Sequence, residues 1–147
     1  PDPARGVAEM ARAVRPGGGV CAYAWDLLGG GFPYFALHEE MRRLGQQPPG
    51  PPNPGAAHLE ALRASWTDAG LVDVETHAIV VERSFPDFEV FWAAARQGPG
   101  AASPLSELQR ADARLLKTRV RERLGATADG RVTITARAHA VRGRKPG

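Results

Sequence analysis

Few side chains in this sequence have types and spacings that support chemistry. The four histidines, His38, His58, His77 and His139, show no i, i+4 pair and no cysteine company, so they read as no metal site. The single cysteine, Cys21, lies in the apolar run GVCAYAW, where a thiol reads as a small, buried, inert hydrophobe. No G-x-S-x-G, phosphate-loop or catalytic-cysteine context occurs. Two residues remain as candidates for moving a proton: Asp26, which closes GVCAYAWD, and His38, which is followed by Glu39 and Glu40. Each also reads as an ordinary surface or supporting residue. Two glycine triplets, Gly17-Gly18-Gly19 and Gly29-Gly30-Gly31, are the only stretches with cofactor-loop composition. The first runs into a strand rather than a helix, and the second lacks an acid-tipped first strand before it. Both therefore read as turns.

The elements that position these residues begin with PDPARGVAEMARAVRPGGGVCAYAWD. Asp2 suits an N-cap and Pro3 the first helical turn. Val7, Met10, Ala11 and Val14 recur at helical spacing and predict one apolar face. Pro16 and the glycines after it end that helix. Gly19 to Trp25 then reads as a short strand buried on both faces, so the segment is half of a parallel β–α–β unit.

PDPARGVAEMARAVRPGG followed by GVCAYAWD resembles the part of a class I S-adenosylmethionine-dependent methyltransferase that follows its fourth strand. The likeness extends to the small-molecule, methyltransferase type 11-like branch, in which the fifth strand often ends in an aromatic residue and an acid, here Trp25 and Asp26. TDAGLVDVETHAIV resembles the same family's approach to its sixth strand. The resemblance implies an α/β fold: the C-terminal part of a Rossmann-like methyltransferase sheet, three strands with the last one antiparallel. It places Pro1 partway through that fold, with the Gly-rich cofactor loop and the ribose-binding acid upstream. It implies S-adenosyl-L-methionine as cofactor of the complete protein, no cofactor-binding residue in this chain, and no activity of the chain alone.

Along the chain, residues 1–26 are the helix, turn and fifth strand, and 27–55 an aromatic segment with a Pro-rich loop, QQPPGPPNPG. Residues 57–82 are a helix, with Leu59, Leu62, Trp66 and Ala69 on its buried face, and a sixth strand from Val72 to Glu82. Residues 85–124 read as two helices, Phe85–Gln97 and Ser103–Leu124, and residues 131–141 as the last strand. That strand alternates Val132, Ile134, Ala136, Ala138 and Ala140 with a wetter set that includes Arg137 and His139. In the family that this chain resembles, the last two strands usually form a hairpin. Here the two helices are inserted between them and read as a helical cap. Trp25, Tyr34 and Phe35 stand at or after the carboxyl end of the fifth strand, the ligand side of such sheets. With Phe88 and Trp92 of the cap they are the candidate substrate-binding residues. Core packing is the competing reading for all of these aromatics.

Composition narrows the function classes. Hydrophobic residues make up 43% of the 147 and charged residues 24%, as in an ordinary globular domain with a single core. No apolar run reaches the roughly 20 residues of a membrane span. The pI near 9.6 accompanies a net charge of only +3. Basic residues do not interleave with aromatics, so no nucleic-acid platform is indicated. Arg142, Arg144 and Lys145 read as a solvated, frayed tail. Composition leaves the cytoplasm as the expected location, and the resemblance implies a small-molecule methyl acceptor as partner, with no nucleic acid and no membrane. The alternative is a non-catalytic α/β module that binds a small ligand or a partner under the cap.

Overall fold

The computed structural model describes residues 2–48, 50–97, 108 and 110–147. Its elements are helix α1 (Pro3–Ala13), strand β1 (Gly19–Trp25), helix α2 (Phe35–Arg43), a 3-10 turn (Pro54–Ala57), helix α3 (Leu59–Asp68), strand β2 (Val72–Phe85), helix α4 (Phe88–Gln97), helix α5 (Arg110–Leu124) and strand β3 (Val132–Arg144). The expected start of the second cap helix, at Ser103, lies outside the described residues.

The strand order is β1-β3-β2. β3 is antiparallel to β1, from Gly19 opposite Arg144 to Trp25 opposite Ala138. The side-chain pairs Asp73–Arg144, Glu75–Arg142, Glu82–Thr135 and Ser84–Thr133 run in opposite directions on β2 and β3. β2 is therefore antiparallel to β3 as well. The mixed α/β class and the antiparallel last strand are as expected from the sequence.

The chain divides into two compact units. The first comprises Pro1–Phe32, Pro52–Val80 and Ala136–Gly147. Its core is Val7 and Ala11 of α1, Leu62 and Trp66 of α3, Leu71, and Val141 of β3. Asp2 caps α1 by accepting from Ala4 N–H at 3.0 Å. At the other end Lys145 Nζ donates to Arg12 O and Val14 O, satisfying end carbonyls with a positive charge. Gly17 takes φ +73° in the turn to β1, a conformation that L side chains avoid. Gly143 leaves room for an indole, since a Cβ there would lie 3.0 Å from Trp66 Cδ1.

Several sequence expectations need correction in this unit. β1 is not buried on both faces: Tyr23 is 74% exposed and Cys21 is exposed. The reason is that α1 and α3 cover one face of β1 only. Met10 is also exposed, so α1 buries a narrower stripe than its spacing predicts. The last strand runs three residues further than expected, and its basic end is ordered. Arg142 pairs with Glu75 and Arg144 with Asp73.

The second unit comprises Pro33–Pro51 and Val81–Thr135. Its core gathers Leu37 and Met41 from α2, Phe85 from β2, Phe88, Phe91, Trp92 and Ala95 from α4, Leu116 and Val120 from α5, and Val132 and Ile134 from β3. Phe85 meets Phe91 edge to face at 5.4 Å, and Phe88 stacks on Trp92 at 6.0 Å. Phe85 ends β2 rather than opening α4. Asp87 instead caps α4, accepting from Val90 N–H at 2.9 Å. Glu40, 2% exposed, is held between Arg43 and Arg123, each at 2.9 Å. Leu115, next to buried Leu116 on α5, is 41% exposed.

Phe91 is fully buried at the centre of this aromatic core. Phe91→Ala is expected to destabilise the protein by about 3–5 kcal/mol, measured by urea unfolding followed by circular dichroism. A loss well under about 1 kcal/mol would contradict this packing.

Candidate functional site

The most tightly organised polar group in the first unit sits where β1 ends. Asp26 is 5% exposed. Its Oδ1 accepts from Gly29 N–H at 2.9 Å. Its Oδ2 accepts from Arg137 Nε at 2.8 Å and Nη2 at 2.6 Å. Arg137 Nη2 also donates to Gly29 O at 3.0 Å. The backbone closes around the same point: Asp26 N–H donates to Arg137 O, Gly31 N–H to Asp26 O, and Arg137 N–H to Gly31 O.

This geometry explains the second glycine triplet. A Cβ on Gly29 would lie 2.1 Å from Asp26 Oδ2, and one on Gly31 would lie 2.5 Å from Arg137 O. Gly30 between them takes φ +74°. All three positions exclude or disfavour a side chain, so DLLGGG is a tight loop folded onto the buried Asp26 carboxylate and its partner Arg137.

His139 completes the cluster. It is 7% exposed, and its Nδ1 lies 2.8 Å from Ala57 O. A carbonyl only accepts, so this nitrogen carries the proton. Its Nε2 faces Asp26 Oδ2 at 3.7 Å. Arg137 and His139 thus point the same way from alternate positions of β3. One holds the glycine loop and the other the 3-10 turn before α3. On the expected wetter face of β3, His139 is buried and Arg137 half-buried, because these loops fold over them.

Burial by itself would push the Asp26 carboxyl up. The Gly29 N–H, the Arg137 guanidinium and neighbouring His139 outweigh burial and hold it below the ordinary carboxylate value. Asp26 is therefore an anion at neutral pH with both oxygens engaged. It organises the end of β1 and is not presented as a free base.

No family model matches this sequence. No curated protein matches it. Among solved structures, a methyltransferase candidate from Bacillus halodurans C-125 aligns with 100% of this chain at 14% identity and a TM-score of 0.47. Phosphoethanolamine N-methyltransferase 2 of Haemonchus contortus, solved with phosphomonomethylethanolamine and S-adenosylhomocysteine, aligns with 99% at 16% identity and a TM-score of 0.40. The chain spans 59% and 30% of their respective lengths. At these values the likeness assigns no family.

The other sequence candidates distribute as follows. Trp25 is half-buried beside Asp26 in the first unit. Tyr34, Phe35, His38, Phe88 and Trp92 all belong to the second. Tyr34 lies 6.3 Å from the Phe91 ring, and Arg123 lies over Phe35 at 5.9 Å. Phe88 and Trp92 are packed in the core, 7% and 8% exposed. His38 is buried on α2, where burial and then the charge of Arg42 push its pKa down. Arg137 and His139 were not foreseen as site residues. Their Arg-x-His spacing puts both on one strand face, but the pairing of Arg137 with Asp26 spans 111 positions.

A further cavity of about 770 Å³ lies on the open sheet face of the first unit, lined by Cys21, Tyr23, Glu75, His77, Ile79 and Arg142 among others. Its size is in the range of ligand pockets. Among the described residues, no three His, Cys, Asp or Glu side chains are placed to hold a metal ion. Among them, too, no helix is long and apolar enough to cross a membrane.

Removing the Asp26 charge takes the ion partner from Arg137 and leaves a buried polar group in its place. Asp26→Asn is expected to cost about 1–3 kcal/mol at neutral pH. The lowered pKa sets the sign: this stabilisation is present above the ordinary carboxylate pKa and is lost as pH falls through the folded-state value. Unfolding of the two proteins across an acid series should therefore converge at low pH, and a constant difference would refute the charge as its source. For His38 the folded pKa is also lowered, so its contribution is complete above 6.5 and declines as pH falls below it. His38→Gln should flatten that decline; an unchanged pH profile would show that His38 is not responsible.

Proposed function

We propose that this chain is the C-terminal, acceptor-side half of an S-adenosylmethionine-dependent methyltransferase of the type 11-like branch, acting on a small molecule. The observation that carries this reading is the topology. A helix, an Arg-Pro-Gly-Gly turn and β1 follow in direct succession, and a last strand is antiparallel to β1 and to β2. The sequence likeness of PDPARGVAEMARAVRPGG and GVCAYAWD to that family supports the same reading.

In this reading Trp25 and Asp26 mark the carboxyl end of the fifth strand, which is the acceptor side. Asp26 acts as a positioning residue, because Arg137 and Gly29 already occupy its oxygens. Within the second unit, α4 and α5 correspond to the inserted cap, and Tyr34, Phe35, Phe88 and Trp92 are its candidate acceptor-binding residues. Phe88 and Trp92 shape it from within the core. The cofactor would bind outside this chain, since both glycine triplets are turns here. Methyl transfer from a sulfonium relies on orientation and exclusion of water more than on acid–base groups. A half of such an enzyme without an unencumbered base is compatible with that chemistry. The protein would work in the cytoplasm.

The cavity of about 770 Å³ on the open face favours a second reading, a self-standing module that binds a small ligand. Sequencing the coding region upstream of Pro1 separates the two. The methyltransferase reading expects a strand, a Gly-rich loop and an acid-tipped second strand there. It further expects S-adenosylmethionine binding, by calorimetry, in the extended protein and none in residues 1–147. Upstream coding without those elements, or cofactor binding by the 147 residues alone, would overturn it.

A further inference from the structure

Helix α5 of the second unit carries its charges unevenly. Arg110, Arg114, Lys117 and Arg121 are spaced i, i+4, i+7 and i+11. That spacing puts all four on one side of the helix, in a row about 16 Å long. The two acids of α5 stand elsewhere. Asp112 is about half a turn around the helix from Arg110 and from Arg114. Glu122 lines a separate recess, with Arg119, Arg123, Glu40 and Arg43.

Like charges three and four residues apart on a helix repel, so such a row is unfavourable unless anions lie along it. Its C-terminal half has one. Glu89 of α4 accepts from Lys117 Nζ at 2.6 Å and, with its other oxygen, from Arg121 Nη2. A carboxylate from a neighbouring helix is thus seated between two cations four residues apart. Arg110 and Arg114 repeat that spacing in the N-terminal half. Both are exposed, and no acid among the described residues pairs with either. Arg110 also opens α5, at the positive end of the helix dipole, where a cation is disfavoured. Helix stability therefore gives no reason for this pair of arginines. Among the described residues, no ring or large apolar side chain is exposed along the row. Phe88 lies under Arg121, and Leu115 is turned away by roughly a third of a turn.

We infer that the row Arg110–Arg114–Lys117–Arg121 docks an acidic helix of a partner protein, one with Asp or Glu side chains on a single face. The seating of Glu89 supplies the pattern. A carboxylate of the partner sits between Arg110 and Arg114 as Glu89 sits between Lys117 and Arg121. A helix laid along α5 keeps step with the row, because both repeat at about 3.6 residues per turn. Guanidinium groups suit carboxylates, which they bind through two parallel N–H groups. The bare polar character of the row selects among polyanions. It offers no ring on which a nucleic-acid base stacks and no apolar side chain to enter a lipid surface. The inference rests on α5 and its contact with α4, and it does not depend on methyl transfer.

The test is fluorescence anisotropy of two labelled alanine-based helical peptides titrated with residues 1–147. One peptide carries glutamates at i, i+4, i+7 and i+11. The other has the same composition, with its glutamates spread around the helix. The first is expected to bind about tenfold more tightly than the second, and more weakly as salt is raised. The double variant Arg110→Glu, Arg114→Glu is expected to weaken it by about tenfold. The pair Arg5→Glu, Arg15→Glu makes the same change in net charge at exposed positions of the first unit and is expected to leave binding within about twofold. Circular dichroism checks folding. Arg110→Gln, Arg114→Gln replaces the first variant if that one does not fold, with a loss in the same direction. Equal binding of the two peptides, or none, overturns the inference. So does binding indifferent to Arg110 and Arg114. Tighter binding of a duplex DNA oligonucleotide or of phosphatidylserine vesicles than of the first peptide overturns it as well.

Discussion

The first unit depends on one buried carboxylate. Placing an unpaired anion in a protein interior costs several kcal/mol after relaxation. Asp26 escapes that cost because Arg137 reaches it with two nitrogens and Gly29 offers a backbone N–H. Each compensation imposes a structural demand. The Gly29 donor requires a loop tight enough to exclude a Cβ, and Gly31 must approach the backbone of Arg137 closely. Satisfying one charge therefore dictates the course of residues 26–31 and ties the end of β1 to β3. His139, one step along the same strand face, ties the turn before α3 to the same place.

The second unit repeats the device in a different setting. Glu40 is nearly inaccessible, yet Arg43 and Arg123 both reach one of its oxygens. The pair joins α2 to α5 across the same unit that the aromatic core fills. Guanidinium groups also cover the outer rings: Arg83 lies over Phe85 and Arg121 over Phe88. Arg121 and Lys117 share Glu89 as well. Several arginines of this sequence thus have a local structural role. Arg43, Arg123 and Arg137 pair buried acids, and Arg83, Arg121 and Arg123 cover aromatic faces.

Much of this architecture is legible in the residues themselves. The α1 N-cap at Asp2, the glycine turn into β1, the exit of α3 at Gly70 and the alternation of β3 from Val132 to Ala138 all follow from local rules. The candidate site was only half legible. Asp26 stood out because an acid closes an apolar strand, and the glycine triplet after it was readable as a turn. Its partners were not, because Arg137 and His139 sit in a strand whose alternation alone labels that face as wet. Burial of that face is decided by which loops fold over it, and no window of neighbouring residues contains that information.

The covering of β1 shows the same division. An apolar run bounded by glycine and aspartate is equally compatible with a strand buried on both faces and with a bare edge, and spacing cannot tell them apart. By itself, the sequence determined the type and approximate extent of most elements, since capping, turn conformation and hydrophobic period act over a few neighbouring residues. Tertiary structure alone decided the strand order, the exposure of Cys21 and Tyr23, and the engagement of both Asp26 oxygens. Those outcomes depend on contacts between residues as much as 111 positions apart, whose energies exist only once the chain has closed on itself.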